Sequence, residues 1–122
     1  MLDKILDFIP TKETANLTLN STYIRAGSGI YRVRRNGLTA EVLLVNVEFT
    51  KAVATNTTID QIAIIPSGYR PSQNVYSVGF NPNAGLIGYL WFLANGTVGM
   101  RTLQAITVGR TLYSMGPFYL IG

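Results

Sequence analysis

Apolar and polar residues change rhythm once along this chain. In MLDKILDFIP, Leu2, Ile5, Leu6 and Ile9 recur at helical spacing, Asp3, Lys4 and Asp7 fall on the other side, and Pro10 ends the pattern. The spacing predicts a helix of about two turns over residues 2–9. So short a helix needs a surface to pack on, either its own domain or other copies. The polar run TKETAN, residues 11–16, reads as a linker, so residues 1–16 form a neck segment ahead of a head at 17–122. From Leu17 onward Val, Ile, Thr, Tyr and Phe dominate, broken every eight to twelve residues by Gly, Pro or Asn. That rhythm predicts strands near 17–25, 29–35, 38–49, 58–65, 74–80, 86–94, 97–103, 106–113 and 117–121. The expected fold is all-β, a sandwich or barrel.

Two Asn-Gly pairs suggest hairpins, because both residues tolerate the positive φ of a type I′ turn. With Asn95-Gly96 as a two-residue loop, Leu93 opposes Val98, Trp91 opposes Met100 and Tyr89 opposes Thr102, which reads as the core face. The other face then carries Phe92 opposite Gly99, Leu90 opposite Arg101 and Gly88 opposite Leu103. The same construction at Asn36-Gly37 opposes Arg32 to Glu41 and Tyr31 to Val42. In EVLLVNVEF both alternate sets are largely apolar, and the sequence leaves open whether a bulge switches faces. Strands apolar on both sides predict burial against neighbouring copies.

IAIIPSGYRPSQNVYSVGF, residues 62–80, breaks a good strand with two prolines. Pro66 ends the strand because it cannot donate to the ladder, and Gly68 gives turn freedom. Tyr69 is expected to pack down and anchor the corner. Arg70, held extended by Pro71, is free in this reading to point at a neighbour or an external anion.

Composition narrows the chemistry. The 122 residues suit one domain, and 48% hydrophobic with 13% charged leaves little charge to cover a monomer's surface. Cysteine and histidine are absent, which removes disulfides, thiolate and imidazole metal ligands and the commonest general base. Beyond residue 16 the carboxylates are Glu41, Glu48 and Asp60. Glu41 and Glu48 stand an odd number of residues apart on one predicted strand, hence on opposite faces, so an acid–base pair is not expected. The chain reads as no enzyme, with no cofactor and no metal.

The net charge is +4, and residues 14–122 hold eight cations, seven of them arginine. Arginine suits bidentate recognition of phosphate or carboxylate, although solubility and structural ion pairs explain the same bias. Basic residues are scattered apart from RVRR at 32–35, so nucleic acid is not the expected partner. No apolar stretch reaches the ~20 residues that span a bilayer, and no basic-then-apolar leader opens the chain, so membrane insertion is not expected either.

Three runs carry a resemblance. GIYRVRRNGLTAEVLLVNVEF (29–49), IPSGYRPSQNVYSVGF (65–80) and GYLWFLANGTVGM (88–100), in that order, resemble the head and tip domains of bacteriophage tail-fibre and baseplate receptor-binding proteins. The resemblance implies a jelly-roll or Greek-key β sandwich assembled as a homotrimer, with a preceding neck that residues 2–9 would suit. It implies a protein made in the host cytoplasm and carried in the virion with other phage tail and baseplate proteins, where it binds a host cell-surface glycan. Some such domains serve only to trimerise or cap a fibre. Arg70, Tyr76, Asn81, Arg101 and Arg110 are the candidate ligand-binding residues.

Overall fold

A computed structural model describes residues 12–122, which form nine strands and, among the described residues, no helix. In chain order they are β1 (Lys12–Asn16), β2 (Thr18–Leu19), β3 (Ile30–Asn36), β4 (Thr39–Glu48), β5 (Thr58–Ile64), β6 (Val75–Asn81), β7 (Gly85–Phe92), β8 (Thr97–Thr102) and β9 (Thr111–Leu120). All pairings are antiparallel, in the order β1-β3-β4-β9-β6-β7-β8-β5-β2. The two ends of that order, β1 and β2, are separated in the chain by Leu17 alone. One extended stretch therefore pairs with β3 through its first half and with β5 through its second, and the sheet nearly closes on itself as a barrel or sandwich. On the far side the two halves meet where Phe80 of β6 pairs with Tyr113 of β9, their rings 5.7 Å apart. The predicted helix over residues 2–9 lies outside the described residues.

Inside is one apolar core to which both halves contribute. Val33, Val42 and Leu44 come from one half, and Ile59, Leu90, Phe92, Val98 and Met100 from the other. Burial of each large side chain stabilises the fold by roughly 1.5–3 kcal/mol. The inward set of β4 is Ala40, Val42 and Leu44 and then Val47, so the alternation slips by one residue. A β-bulge between Leu44 and Val47, with Asn46 at φ 58°, makes the slip. The question left open by EVLLVNVEF is thereby answered: a bulge switches faces, and both apolar sets reach the core in turn.

The two hairpins depart from the Asn-Gly expectation in different ways. At the first, Asn36 pairs with Thr39, so the loop is Gly37-Leu38 rather than Asn36-Gly37. Gly37 is at φ 65° and Leu38 has no positive φ, the II′ pattern with glycine first. The shift is two residues, so the faces survive and only the partners change. Glu41 faces Arg34 at 2.6 Å instead of Arg32.

At the second hairpin Phe92 pairs with Val98 and Leu90 with Met100. Gly96 N–H donates to the Leu93 carbonyl at 2.8 Å, Leu93 N–H donates to the Thr97 carbonyl, and Gly96 is at φ 94°. The loop is three residues, Ala94 to Gly96, a turn whose last residue takes the left-handed conformation. A one-residue difference inverts β7. Leu90 and Phe92 are fully buried rather than outward, whereas Tyr89 is 51% exposed and Trp91 lies half-buried on the outside. The expectation that Trp91 enters the core with Met100 is therefore wrong.

Three further boundaries differ. Lys12–Asn16, expected as linker, is edge strand β1, and its polar composition suits an edge. Residues 17–25 supply only the two-residue β2 before turns take over, with Ile24 bridging to Phe49. The expected strands 106–113 and 117–121 are one strand, β9, which passes through Gly116 and Pro117 with a bulge opposite Val42. Ile106 belongs to an isolated bridge with Val53.

Candidate ligand-binding face

The outer surface of β6, β7 and β8 is built in cross-strand rows. One row runs Tyr76–Trp91–Gly99, and the next runs Val78–Tyr89–Arg101 and continues to Thr58 of β5. Rows are roughly 7 Å apart along the strands, and neighbours within a row stand about 5 Å apart. Tyr76 (71% exposed), Tyr89 and Trp91 thus form an L-shaped aromatic platform with Arg101 at its corner. Why this face is aromatic follows from the inverted register: Leu90 and Phe92 point inward, so Tyr89 and Trp91 must point out.

Gly99 shapes the platform. A Cβ there would collide with the Trp91 indole at Nε1 and Cε2, so the ring lies against bare backbone at that position. The large ring is thereby seated low across β8, half-buried and presenting the rest of its surface to solvent. Arg101 donates through a guanidinium nitrogen to the Thr58 hydroxyl at 3.2 Å, which leaves further N–H groups directed outward beside Tyr89. Phenol hydroxyls, a guanidinium and π faces together can stack on an apolar ring face and hydrogen-bond the groups around its edge.

The five sequence-derived candidates are divided among three places. Tyr76 and Arg101 share the aromatic face. Asn81 and Arg110 meet at one end of the barrel, lining an open cleft of about 340 Å³ with Asn83, Thr107 and Thr111. Asn81 is buried there and holds the fold together: its amide donates to the Thr111 carbonyl at 3.0 Å, and its carbonyl accepts from the Asn83 and Ala84 N–H groups at 2.9 and 3.1 Å. Arg70 is elsewhere again and does not point outward to a neighbour. Its Nε donates to the Ile65 carbonyl at 2.9 Å, and the side chain packs over Gly96, so it locks the 66–71 corner to the β7–β8 hairpin.

That corner behaves as expected in its other parts. Tyr69 N–H donates to the Pro66 carbonyl at 3.2 Å, Gly68 takes φ 89°, and Tyr69 packs against the core. Tyr119 OH donates to the Tyr69 carbonyl at 2.6 Å, while Tyr69 OH donates to the Glu13 carboxylate at 3.1 Å. Desolvation first, and then Glu13, push the Tyr69 phenol above its ordinary range, with Arg35 opposing. Burial pushes the Tyr119 phenol up as well.

A second cleft, about 260 Å³, lies on the opposite sheet between the Arg34–Glu41 pair and Phe118. Neither cleft is at the aromatic platform, which is flat and so encloses no volume. Sequence reasoning missed Tyr89 and Trp91 as surface residues. The signal that could have found them was Gly99, a small residue placed where only one register sets the indole over it. No group of three or more acidic, Cys or His side chains is placed to hold a metal among the described residues. Compared with known proteins, the chain matches no family model, no curated protein and no solved structure.

Proposed function

We propose that this protein is a non-catalytic attachment module of a bacteriophage tail or baseplate tip, which binds a host cell-surface saccharide on the Tyr76–Trp91–Tyr89 face. The observation that carries the reading is the juxtaposition of three aromatic side chains and Arg101 on one flat outer face of a rigid antiparallel sheet. Pyranose rings offer C–H faces to such a platform, and their hydroxyls or acidic substituents accept from Arg101 and the tyrosine hydroxyls. The ordered resemblance of residues 29–103 to receptor-binding heads supports the same reading. In it the barrel is a jelly-roll or Greek-key head, the chain is a homotrimer, and weak single-site binding is multiplied by threefold avidity.

The test is retention of the purified protein on envelope fractions from Gram-positive bacteria. Wild type is retained, while Trp91→Ala and Tyr76→Ala are not, and Arg110→Ala at the distant cleft is retained like wild type. Absence of retention on every fraction, or equal retention of the platform variants, contradicts the reading.

A structural role, trimerising or capping a fibre without a receptor, is the second reading. It is favoured by a specific observation: Met115, Phe118 and Leu120 of β9 present a stripe of exposed apolar side chains on the opposite sheet. In that case the platform variants bind and assemble like wild type, and substitutions on β9 lower the thermal stability of the oligomer.

A further inference from the structure

We propose that residues 2–9 lie as an amphipathic helix across the outer face of β3, β4 and β9 of their own chain, with Leu2, Ile5, Leu6 and Ile9 covering Phe118, Met115 and Leu120. The stripe on that face is large and exposed: Met115 and Phe118 at 71%, Leu120 at 62%, with Leu38 at the same end of the sheet. Half-buried Leu43 and Val45 extend it onto β4. Contiguous apolar surface of this kind on a folded domain marks a place where something docks.

Position and reach select the occupant. Lys12, the first residue of β1, stands opposite Asn36, and the same row continues through Thr39 to Leu120. The row crosses three strand spacings, about 14 Å. Eight helical residues cover about 12 Å, and Pro10-Thr11 add up to about 7 Å of extended chain. A segment leaving β1 and folding back thus has the length to cross the face from β1 to β9, and no second copy is needed.

Its pattern fits what it would meet. Leu2, Ile5, Leu6 and Ile9 make one apolar side, and Asp3 follows about 100° round the helix, at its flank. On the sheet, exposed Arg32 has no ion pair among the described residues, and it lies one strand from the stripe, opposite Leu43 and in the same row as Met115. Hydrocarbon meets hydrocarbon, and the carboxylate falls toward the basic strand. This placement is independent of the saccharide reading, which uses the other sheet.

The chain has no cysteine, so a designed pair introduces its only thiols. Ile5→Cys with Phe118→Cys, oxidised at micromolar protein, is expected to form an intramolecular disulfide seen as a faster-migrating monomer on a non-reducing gel. Ile5→Cys with Tyr89→Cys, on the opposite sheet, is expected to form none. In the unmodified sequence, trypsin cleavage after Lys4 is expected to be at least about tenfold slower than in Leu6→Asp, because cleavage follows the undocked population. Equal crosslinking of the two cysteine pairs, a covalent dimer as the main product of the first, or equal cleavage rates overturns the proposal. Loss of saccharide retention with normal crosslinking would sink the ligand reading alone.

Discussion

The Trp91 indole lies across the backbone of Gly99, its cross-strand partner on β8. That contact fixes the register of the β7–β8 hairpin, places Leu90 and Phe92 in the core, and seats the aromatic surface on which the proposed function rests.

Gly99→Ala is therefore expected to lift the ring off the sheet. The added Cβ collides with the indole, and overpacking of this kind costs about 1–3 kcal/mol. Trp91 is the chain's one tryptophan, so its fluorescence reports the change directly, with a red-shifted emission maximum expected in the variant. A variant with wild-type emission and stability would show that the ring does not rest there.

Adjacent residues on β7 should behave in opposite ways. Leu90→Ala leaves a void in the core and is expected to cost about 2–5 kcal/mol in denaturant unfolding. Trp91→Ala removes a half-buried outer side chain and should cost clearly less. The reverse order would restore the two-residue loop and its inverted faces.

Thr102 is fully buried and polar, and its hydroxyl donates to the Ala54 carbonyl at 2.6 Å while accepting the Thr57 N–H at 2.9 Å. It staples the 54–57 turn to the end of β8. Thr102→Val keeps the shape and strands both partners, and is expected to destabilise by about 1–3 kcal/mol, measured by chemical unfolding.

Tyr119 gives the fold an alkaline limit. Its buried phenol donates to the Tyr69 carbonyl, so the folded state holds the proton more tightly than the unfolded chain, where a tyrosine titrates near about 10. The folded value lies above the unfolded one. The resulting stabilisation is complete below about pH 10 and declines as pH rises from there toward the folded value. Thermal melts across pH 8–12 should show this decline in wild type and a shallower one in Tyr119→Phe, which should itself be less stable at pH 8 because the Tyr69 carbonyl loses its partner.

How much of this was legible in the sequence depended on what each feature rests on. Strand positions were largely readable, because the β-rich rhythm and its Gly, Pro and Asn breaks are local. Registers were not, because an Asn-Gly pair admits more than one loop. At Asn36-Gly37 a two-residue difference kept every face and only moved Glu41 from Arg32 to Arg34. At Asn95-Gly96 a one-residue difference sent Trp91 outward and Phe92 inward. Continuity of β9 through Gly116-Pro117 and pairing of the polar Lys12–Asn16 with β3 depend on partners distant in sequence. The candidate site divided for the same reason: Tyr76 and Arg101 come together because the sheet aligns their rows, whereas Arg70 and Asn81 are held by backbone carbonyls that no local pattern announces.

Titration of Trp91 fluorescence with soluble cell-wall polysaccharides from Gram-positive bacteria tests the central claim most directly. A saccharide settling on the Tyr76–Trp91–Tyr89 face is predicted to give a saturable change in emission in wild type, weakened at least about tenfold by Tyr76→Ala, a loss of about 1.4 kcal/mol or more. No saturable change with any polysaccharide, or a titration indifferent to Tyr76→Ala, would contradict it.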